Sequence, residues 1–415
     1  MSIIKAPINS VEEIKHTFSR LYGEYSDFQF ERYEKLFTWF KNSFNKKNAY
    51  FASSSGRVEV CGNHTDHNGG LVVSCAISLD TVAAFYPKDN GVIHIKSEGY
   101  DDIIINIKGE DVEQKGTSAA LVRGVVVDFI RRGYNVGGFD ACLTSNVLGG
   151  AGISSSASFE VLIAEILNFL YNENKIDAET KAKIAQFSEN VYFGKPCGLL
   201  DQTAIAFGGL KRLDFSNPDK ISVKEIDNNL SDYTLILINT GGSHADLTDE
   251  YAAIPKEMFE VANSMGEKRL IDLGEEKFYE LLPDFYNKLS DRAILRAIHF
   301  FDENKRVDKV YSALKNEDYS SFLDAINKSG QSSLYKLQNC FVAGREEQPI
   351  PKALAVAERF LFGGANRVHG GGFAGSILNV VKNDYVNRFI LEMAKYFDKK
   401  DIIPLRVRSV GTIVL

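Results

Sequence analysis

Between residues 57 and 107 the chain alternates apolar and polar positions over short runs. Arg57-Val58-Glu59-Val60 has the two-residue period of a strand, and β-rich runs at residues 71–76, 81–86, 92–95 and 103–107 follow with turn residues between them. The period then lengthens. Residues 117–132 read as a helix, and Phe159, Leu162, Ile163, Ile166, Phe169 and Leu170 recur at i, i+3, i+4 spacing, which predicts a helix over 155–171. Residues 202–206 suggest a further short helix. A polar break at 214–232, carrying Asn217-Pro218 and Asp227-Asn228-Asn229, separates this half from a strand at 234–238 and a helix-rich remainder. The pattern is α+β, in two domains expected at residues 1–215 and 216–415. The N-terminal stretch holding Glu12, Glu13 and Lys15 among apolar residues reads as an amphipathic helix and not as a signal peptide. The apolar run at 233–238 is strand-length, far short of the about 18 residues that a membrane span needs.

At 415 residues the chain can build two or three domains around a substantial core. Its 48 basic and 55 acidic residues give a net charge of -7 without any basic block, which argues against a nucleic-acid surface. Cys61, Cys75, Cys142, Cys197 and Cys340 are widely spaced with no Cys-x-x-Cys pair. Free thiols in a reducing, cytoplasmic compartment are therefore expected over a disulfide framework. Neither nucleic acid nor membrane is expected as a partner, and the expected assembly is a monomer or a weak homo-oligomer.

Candidate chemistry lies in four segments. In Gly56-Arg57-Val58-Glu59-Val60-Cys61-Gly62-Asn63-His64-Thr65-Asp66-His67-Asn68-Gly69-Gly70, Gly and Asn residues force a strand into a turn that lets Asn63, His64 and Asp66 converge. Three readings stand side by side: a turn whose polar side chains serve their own backbone, a zinc or iron site from His64-x-Asp66-His67, and a loop for a small hydroxylated ligand. The second segment, Leu148-Gly149-Gly150-Ala151-Gly152-Ile153-Ser154-Ser155-Ser156-Ala157-Ser158, feeds the helix at 155. Backbone N–H groups and the helix dipole converge there on a point suited to phosphate, with serine hydroxyls for phosphate or magnesium. It is not a Walker A loop, because no Lys-Ser/Thr follows the glycines. A loop that only caps its helix is the plainer alternative. In the third, Phe193-Gly194-Lys195-Pro196-Cys197-Gly198-Leu199-Leu200-Asp201-Gln202, Asp201 reads either as a semi-buried functional acid or as the N-cap of the helix at 202. The fourth, Arg367-Val368-His369-Gly370-Gly371-Gly372-Phe373-Ala374-Gly375, is a glycine-rich turn or a tight helix-to-strand connection.

Taken in order, the four segments resemble the motifs of galactokinases, within the GHMP kinase superfamily, over residues 57–375. Arg57, His64 and Asp66 match the Arg, His and Asp of that family's sugar loop, whereas Asn63 stands where Glu is usual. The second segment resembles the phosphate-loop pattern Pro-x-Gly-x-Gly-Leu-Ser-Ser-Ser-Ala, with Leu148 in place of Pro. The third is similar to Gly-Ile-Met-Asp-Gln, whose Asp is catalytic, and Glu189 falls where the family keeps a magnesium-binding Glu. The fourth resembles the glycine-rich turn beside the phosphate loop. The match is looser at residues 239–253, although Tyr251 falls where a sugar-contacting Tyr is expected.

The resemblance implies an α+β, two-domain GHMP kinase fold, with a ribosomal-protein-like N-terminal domain, a ferredoxin-like C-terminal domain and the site in the cleft between. It implies transfer of the γ-phosphoryl of ATP to the anomeric hydroxyl of a hexose, galactose first, with small-molecule sugar and ATP as the partners. Asp201 and Arg57 would be catalytic, and Asn63, His64, Asp66, Gly198 and Tyr251 would hold the sugar. Gly150, Ala151, Gly152, Ile153, Ser154, Ser155 and Ser156 would hold ATP, and Ser156 with Glu189 would hold Mg2+. Asn63 makes galacturonate or another modified galactose the second candidate substrate. A non-catalytic sugar sensor is a rival of another class, and the intact Ser154-Ser155-Ser156-Ala157 and Asp201 speak against it. A metal-dependent hydrolase using His64, Asp66, His67 and His244 is the remaining rival.

Overall fold

The computed structural model describes residues 6–23, 26–109, 114–147, 149–150, 152–227, 230–241 and 247–415. Two sheets organise it. The first is built from β1 (Tyr50–Cys61), β2 (Leu71–Lys88), β3 (Val92–Ser97), β4 (Ile103–Asn106), β5 (Gly138–Ser145), β6 (Leu210–Asp214) and β7 (Ser222–Glu225). The second holds β8 (Tyr233–Asn239), β9 (Ala365–His369), β10 (Ser376–Lys382) and β11 (Ile402–Leu405), in the order β11-β8-β10-β9. The last strand, β12 (Ile413–Val414), returns to the first sheet and pairs with β1, giving the order β12-β1-β2-β5-β3-β4, with β6 paired to β2 and β7 to β6. Every pairing is antiparallel except β3 with β5.

Strands expected at 71–76 and 81–86 are one continuous strand, β2, and the short strand expected at 57–60 is the end of the twelve-residue β1. The run Ser53-Ser54-Ser55-Gly56 hides this in the sequence by its polarity. It is nonetheless fully buried. Ser53 donates to Asp80 and Ser54 bonds Thr412 Oγ1 at 2.9 Å, so each of these hydroxyls is satisfied inside the sheet. A register shift between Ser55 and Arg57 marks a bulge that re-aims the strand just before the first candidate residue.

The helices expected at 117–132 and 155–171 are Ser118–Arg131, capped by Thr117 Oγ1 on Ala120 N at 3.2 Å, and Ser155–Tyr171. They bury Val122, Val125, Phe129, Leu162, Ile166 and neighbours against the inner face of the first sheet. The stretch around Glu12 and Glu13 forms two 3₁₀ turns, and the nearby long helix is Ser26–Phe44. The second half is helix-rich as expected. Its long helices Asp291–Lys315 and Tyr319–Ser332 supply Val307, Val310, Phe322 and Ile326 to a core that also contains Val58, Val73, Leu237 and Leu378. Residues of both sheets therefore share one apolar interior, each fully buried Leu, Ile or Phe contributing about 1.5–3 kcal/mol. All five cysteines are unpaired thiols. No described helix is long and apolar enough to cross a membrane.

Candidate active site

Arg57 lies on one face of β1 together with Glu59, two residues on. Its Nε donates to Asp201 Oδ1 at 2.8 Å, its Nη1 donates to Gly152 O, and its backbone N donates to Ile153 O at 3.2 Å. One residue thus ties the strand, the glycine-rich loop and Asp201 together. Asp201 sits in the first turn of the helix Leu200–Phe207, whose N-cap is Leu199, so the capping alternative does not hold. Its Oδ2 accepts from the Ser154 hydroxyl. Burial alone would raise the Asp201 pKa, but the Arg57 charge and the Ser154 hydrogen bond outweigh it and hold the carboxyl below its ordinary value.

Ser154 has φ 64° and ψ 57°, a left-handed conformation that is uncommon for a residue with a side chain. It occupies the N-cap of Ser155–Tyr171 yet makes no capping bond, since its hydroxyl is turned to Asp201. The first amides of that helix keep their donor capacity toward an anion. Gly152, at φ 73°, opens the turn, Ile153 is fully buried beneath it, and Ser155 begins the helix. Gly150 faces open space. Ala151 and Leu148 lie outside the described residues.

Ser156 and Glu189 lie side by side: Ser156 Oγ donates to Glu189 Oε1 at 2.9 Å. Glu189 is buried in a π-helical turn, Ser188–Phe193, a widening of the helix common at functional sites. Gln202 Nε2 donates to its other oxygen at 2.8 Å, and Lys195 Nζ reaches Oε1 at 3.0 Å. Glu160, one turn beyond Ser156, is fully buried with neither carboxyl oxygen bonded among the described residues. Burial, then the Glu189 charge, push its pKa well up. A hydroxyl beside a carboxylate is a hard oxygen set suited to magnesium, which completes its octahedron with waters and phosphate oxygens.

The turn that follows β1 is clamped onto the fourth segment. Asn63 Nδ2 donates to Gly370 O at 2.8 Å, His64 Nε2 to Gly371 O at 3.0 Å and the Tyr251 hydroxyl to Gly372 O at 2.7 Å. Three consecutive glycine carbonyls are thus each held by one candidate residue. Asp66 Oδ2 accepts from Leu200 N at 3.1 Å, placing it beside Asp201. Burial first, with the Asp201 charge adding, raises its pKa to about 6. Gly198 makes this possible by lacking a side chain, because a Cβ there would overlap the Asp66 carboxyl group.

Asn63 differs from the expectation. It is fully buried, and protein groups use its whole side chain: Nδ2 donates to Glu59 Oε1 at 3.0 Å and to Gly370 O, while Oδ1 accepts from Asn339 Nδ2 at 2.8 Å and Ser333 Oγ at 3.4 Å. It supports the loop from beneath and has no hydrogen-bonding capacity left for a sugar. The metal alternative also fails on geometry. His64 and His67 stand 6.2 Å apart between ring centres, His64 and Asp66 bond backbone groups, and the described residues hold no cluster of three His, Cys, Asp or Glu fit for a metal. His244 and Asp246 lie outside the described residues.

Sequence reasoning missed the supports of this loop. On helix Asp291–Lys315, His299 Nε2 donates to Asn63 O at 2.9 Å, Glu303 Oε1 accepts from Gly62 N at 3.0 Å, and Asn304 Oδ1 accepts from Leu71 N at 2.7 Å. Arg367, fully buried, pairs with Glu59 at 2.7 Å. The available signal was the polar His299 and Glu303, i and i+4, inside a stripe otherwise made of Ala293, Ala297, Phe300 and Val307.

The galactokinase galactose-binding signature matches residues 38–87, and the GHMP kinases N terminal domain matches residues 120–209. The galactokinase of Clostridium acetobutylicum is 31% identical over 377 residues, covering 87% of this chain and 92% of that one. The galactokinase of Bacillus subtilis is 27% identical, covering 94% of each. Among solved structures, Lactococcus lactis galactokinase complexed with galactose superposes with a TM-score of 0.79 at 23% identity, over 91% of this chain and 98% of that one. Methanococcus jannaschii mevalonate kinase does so at 0.59 and 16%, over 86% and 98%. Both share the fold, and the sequence likeness along nearly the full length goes further: the chain belongs to the galactokinase family of the GHMP kinase superfamily.

Proposed function

We propose that the protein transfers the γ-phosphoryl group of ATP to the anomeric hydroxyl of galactose. The observation that carries this is the Arg57 guanidinium, which bonds Asp201 on the acceptor side and Gly152 O on the phosphate side at once. Phosphoryl transfer asks for in-line positioning and charge dispersal, with no covalent protein intermediate. Asp201, held ionised by Arg57 and Ser154, takes or steers the proton of the anomeric hydroxyl as it attacks. Arg57 stabilises charge developing on the transferred group. The helix amides after Ser154 and the glycine-rich backbone hold the phosphates. Ser156 and Glu189 are the residues that would hold Mg2+, which supplies charge neutralisation of the phosphates. Lys195 Nζ also lies 3.0 Å from the Glu189 carboxylate. His64, Asp66 and Tyr251 orient the sugar, Gly198 gives Asp66 its room, and Asn63 serves as their support.

The test is ADP release coupled to a sugar series. Galactose-dependent turnover is expected, with kcat/KM for galactose at least about tenfold above galacturonate, N-acetylgalactosamine and glucose. Sugar and ATP binding without turnover would refute the enzyme reading in favour of a sensor. Turnover with a better sugar than galactose would refute only the substrate.

A further inference from the structure

His369 ends β9 immediately before the triple-glycine turn and is 1% exposed. Its Nε2 faces Glu59 N at 3.2 Å. A backbone N–H can only donate, so Nε2 accepts and the imidazole proton is carried by Nδ1. That Nδ1 is buried and has no partner among the described residues. Burial, then the charges of Arg57 and Arg367, push the imidazole pKa well below its ordinary value and keep the ring neutral in this tautomer. The donor borders the glycine-rich loop. Among the described residues beyond its chain neighbours, a Cβ built on Gly152 would meet only His369, with Nδ1 at 3.5 Å and the carbonyl oxygen at 4.0 Å, while Cβ atoms on Gly149 and Gly150 would meet none of them within 4 Å. The open direction at Gly152 thus faces this N–H at ordinary van der Waals distance. On the far side of Gly152, its carbonyl accepts from Arg57, which also holds Asp201.

We propose that His369 is a further catalytic residue whose neutral imidazole donates its Nδ1–H to an oxygen of the transferring γ-phosphoryl of ATP. This rests on the kinase reading above. The ring is fixed by the Glu59 N–H, and Glu59 is itself fixed by Arg367 and Asn63, so the donor is pre-positioned without needing to ionise. A neutral donor adds a directed hydrogen bond next to Arg57 without placing a third positive charge beside Arg57 and Arg367.

Two substitutions separate the two ring nitrogens. His369→Gln can keep an acceptor near the Nε2 position for Glu59 N–H but lacks a donor at Nδ1. His369→Asn can keep an N–H near the Nδ1 position and loses the acceptor for Glu59. The expected result for H369Q is ATP affinity and kcat lowered about tenfold or more, with ADP affinity, galactose affinity and thermal midpoint near those of the parent protein. H369N is expected to lower the thermal midpoint while keeping the ratio of ATP to ADP affinity. Calorimetric titration of both nucleotides reads this ratio directly. An unchanged ATP-to-ADP ratio in H369Q, or equal losses of ATP and ADP in both variants, overturns the proposal and leaves His369 a packing residue. A parent protein that binds ATP without galactose-dependent turnover sinks the kinase reading instead, and one that fails to bind ATP sinks both.

Discussion

Replacing Gly198 with Ala adds a single methyl group against the Asp66 carboxyl group, where the proposed sugar and acid sites meet. Its Cβ would overlap the Asp66 carboxyl carbon and Oδ2, and even the farther oxygen, Oδ1, would lie at 2.7 Å, where ordinary contact begins at 3.4 Å. Something must move by roughly 1 Å or more, and overpacking of this kind costs about 1–3 kcal/mol of stability. Asp66 cannot yield freely, because its Oδ2 is held by Leu200 N at 3.1 Å, two residues beyond the new methyl. If the carboxylate swings away, the sugar loses a charge-assisted hydrogen bond of about 1.5–3 kcal/mol, a drop of roughly 10- to 150-fold in kcat/KM for galactose. If the 197–200 backbone moves instead, Asp201 moves with it and kcat falls as well. Steady-state kinetics with galactose varied, then ATP varied, separate these outcomes, and ATP affinity should stay within about twofold in the first. The decisive comparison is a double-mutant cycle, in which Gly198→Ala should add little once Asp66 is already Ala. Parent-like galactose kinetics in the single variant, or full additivity in the double, would show that Gly198 and Asp66 do not act together.

Asp201→Asn should cut turnover by about 10² or more while ATP binding stays near the parent value, because it removes both the proton acceptor and the anionic partner of Arg57; near-normal turnover would reduce Asp201 to a structural role. Because the Asp66 pKa is raised to about 6, its hydroxyl-binding carboxylate form is present above that pH, so kcat/KM for galactose should fall as pH drops through about 6. His64 and His67 are pushed down by burial, His67 to about 3, and Asp201 is held low, so none of these supplies the inflection, and Asp66→Asn, which leaves the raised Glu160 in place, should abolish it. The same shift makes the folded state lose stability as pH rises from about 4 to 6, since ionising Asp66 is harder in the fold than in the unfolded chain. Glu303→Gln leaves Arg306, which donates from Nε at 2.6 Å, without its buried anionic partner. A loss of about 3–5 kcal/mol in chemical denaturation and a raised galactose KM are expected, and a change under about 1 kcal/mol would contradict the role given to Glu303.

The sequence displayed what depends on local pattern. Helix Ser155–Tyr171 was readable from its apolar spacing, and the glycine-rich loop before it from the need for backbone donors at a helix end. The meeting of Ser156 with Glu189 was reachable only through family resemblance, because 33 residues and a π-helical turn separate them. Beyond reach were features that depend on partners far along the chain. The polar serine run in β1 gives no strand pattern, and its burial rests on Asp80 and Thr412 bonding the Ser53 and Ser54 hydroxyls. Glu303 reads as an ordinary helix carboxylate until Gly62 N, 241 positions away, points at it. Ser154 offers no sign of its left-handed backbone or of the turn of its hydroxyl to Asp201.

Asn63 shows how a single position misleads when read alone. An amide where a carboxylate is usual suggests a loop that has lost a negative charge and can welcome a sugar acid. In the fold, Glu59 places its carboxylate 3.0 Å from Asn63 Nδ2, and Arg367 neutralises it at 2.7 Å, so the carboxylate stands four residues earlier along β1. The buried cluster keeps an acid, an amide and a guanidinium, and the amide uses all of its bonding capacity within it. A galacturonate carboxylate brought to this loop would still meet Asp66, ionised above about pH 6, without a free cation from Arg367, whose charge is already matched by Glu59. The physical ground for admitting the sugar acid as a second candidate therefore disappears.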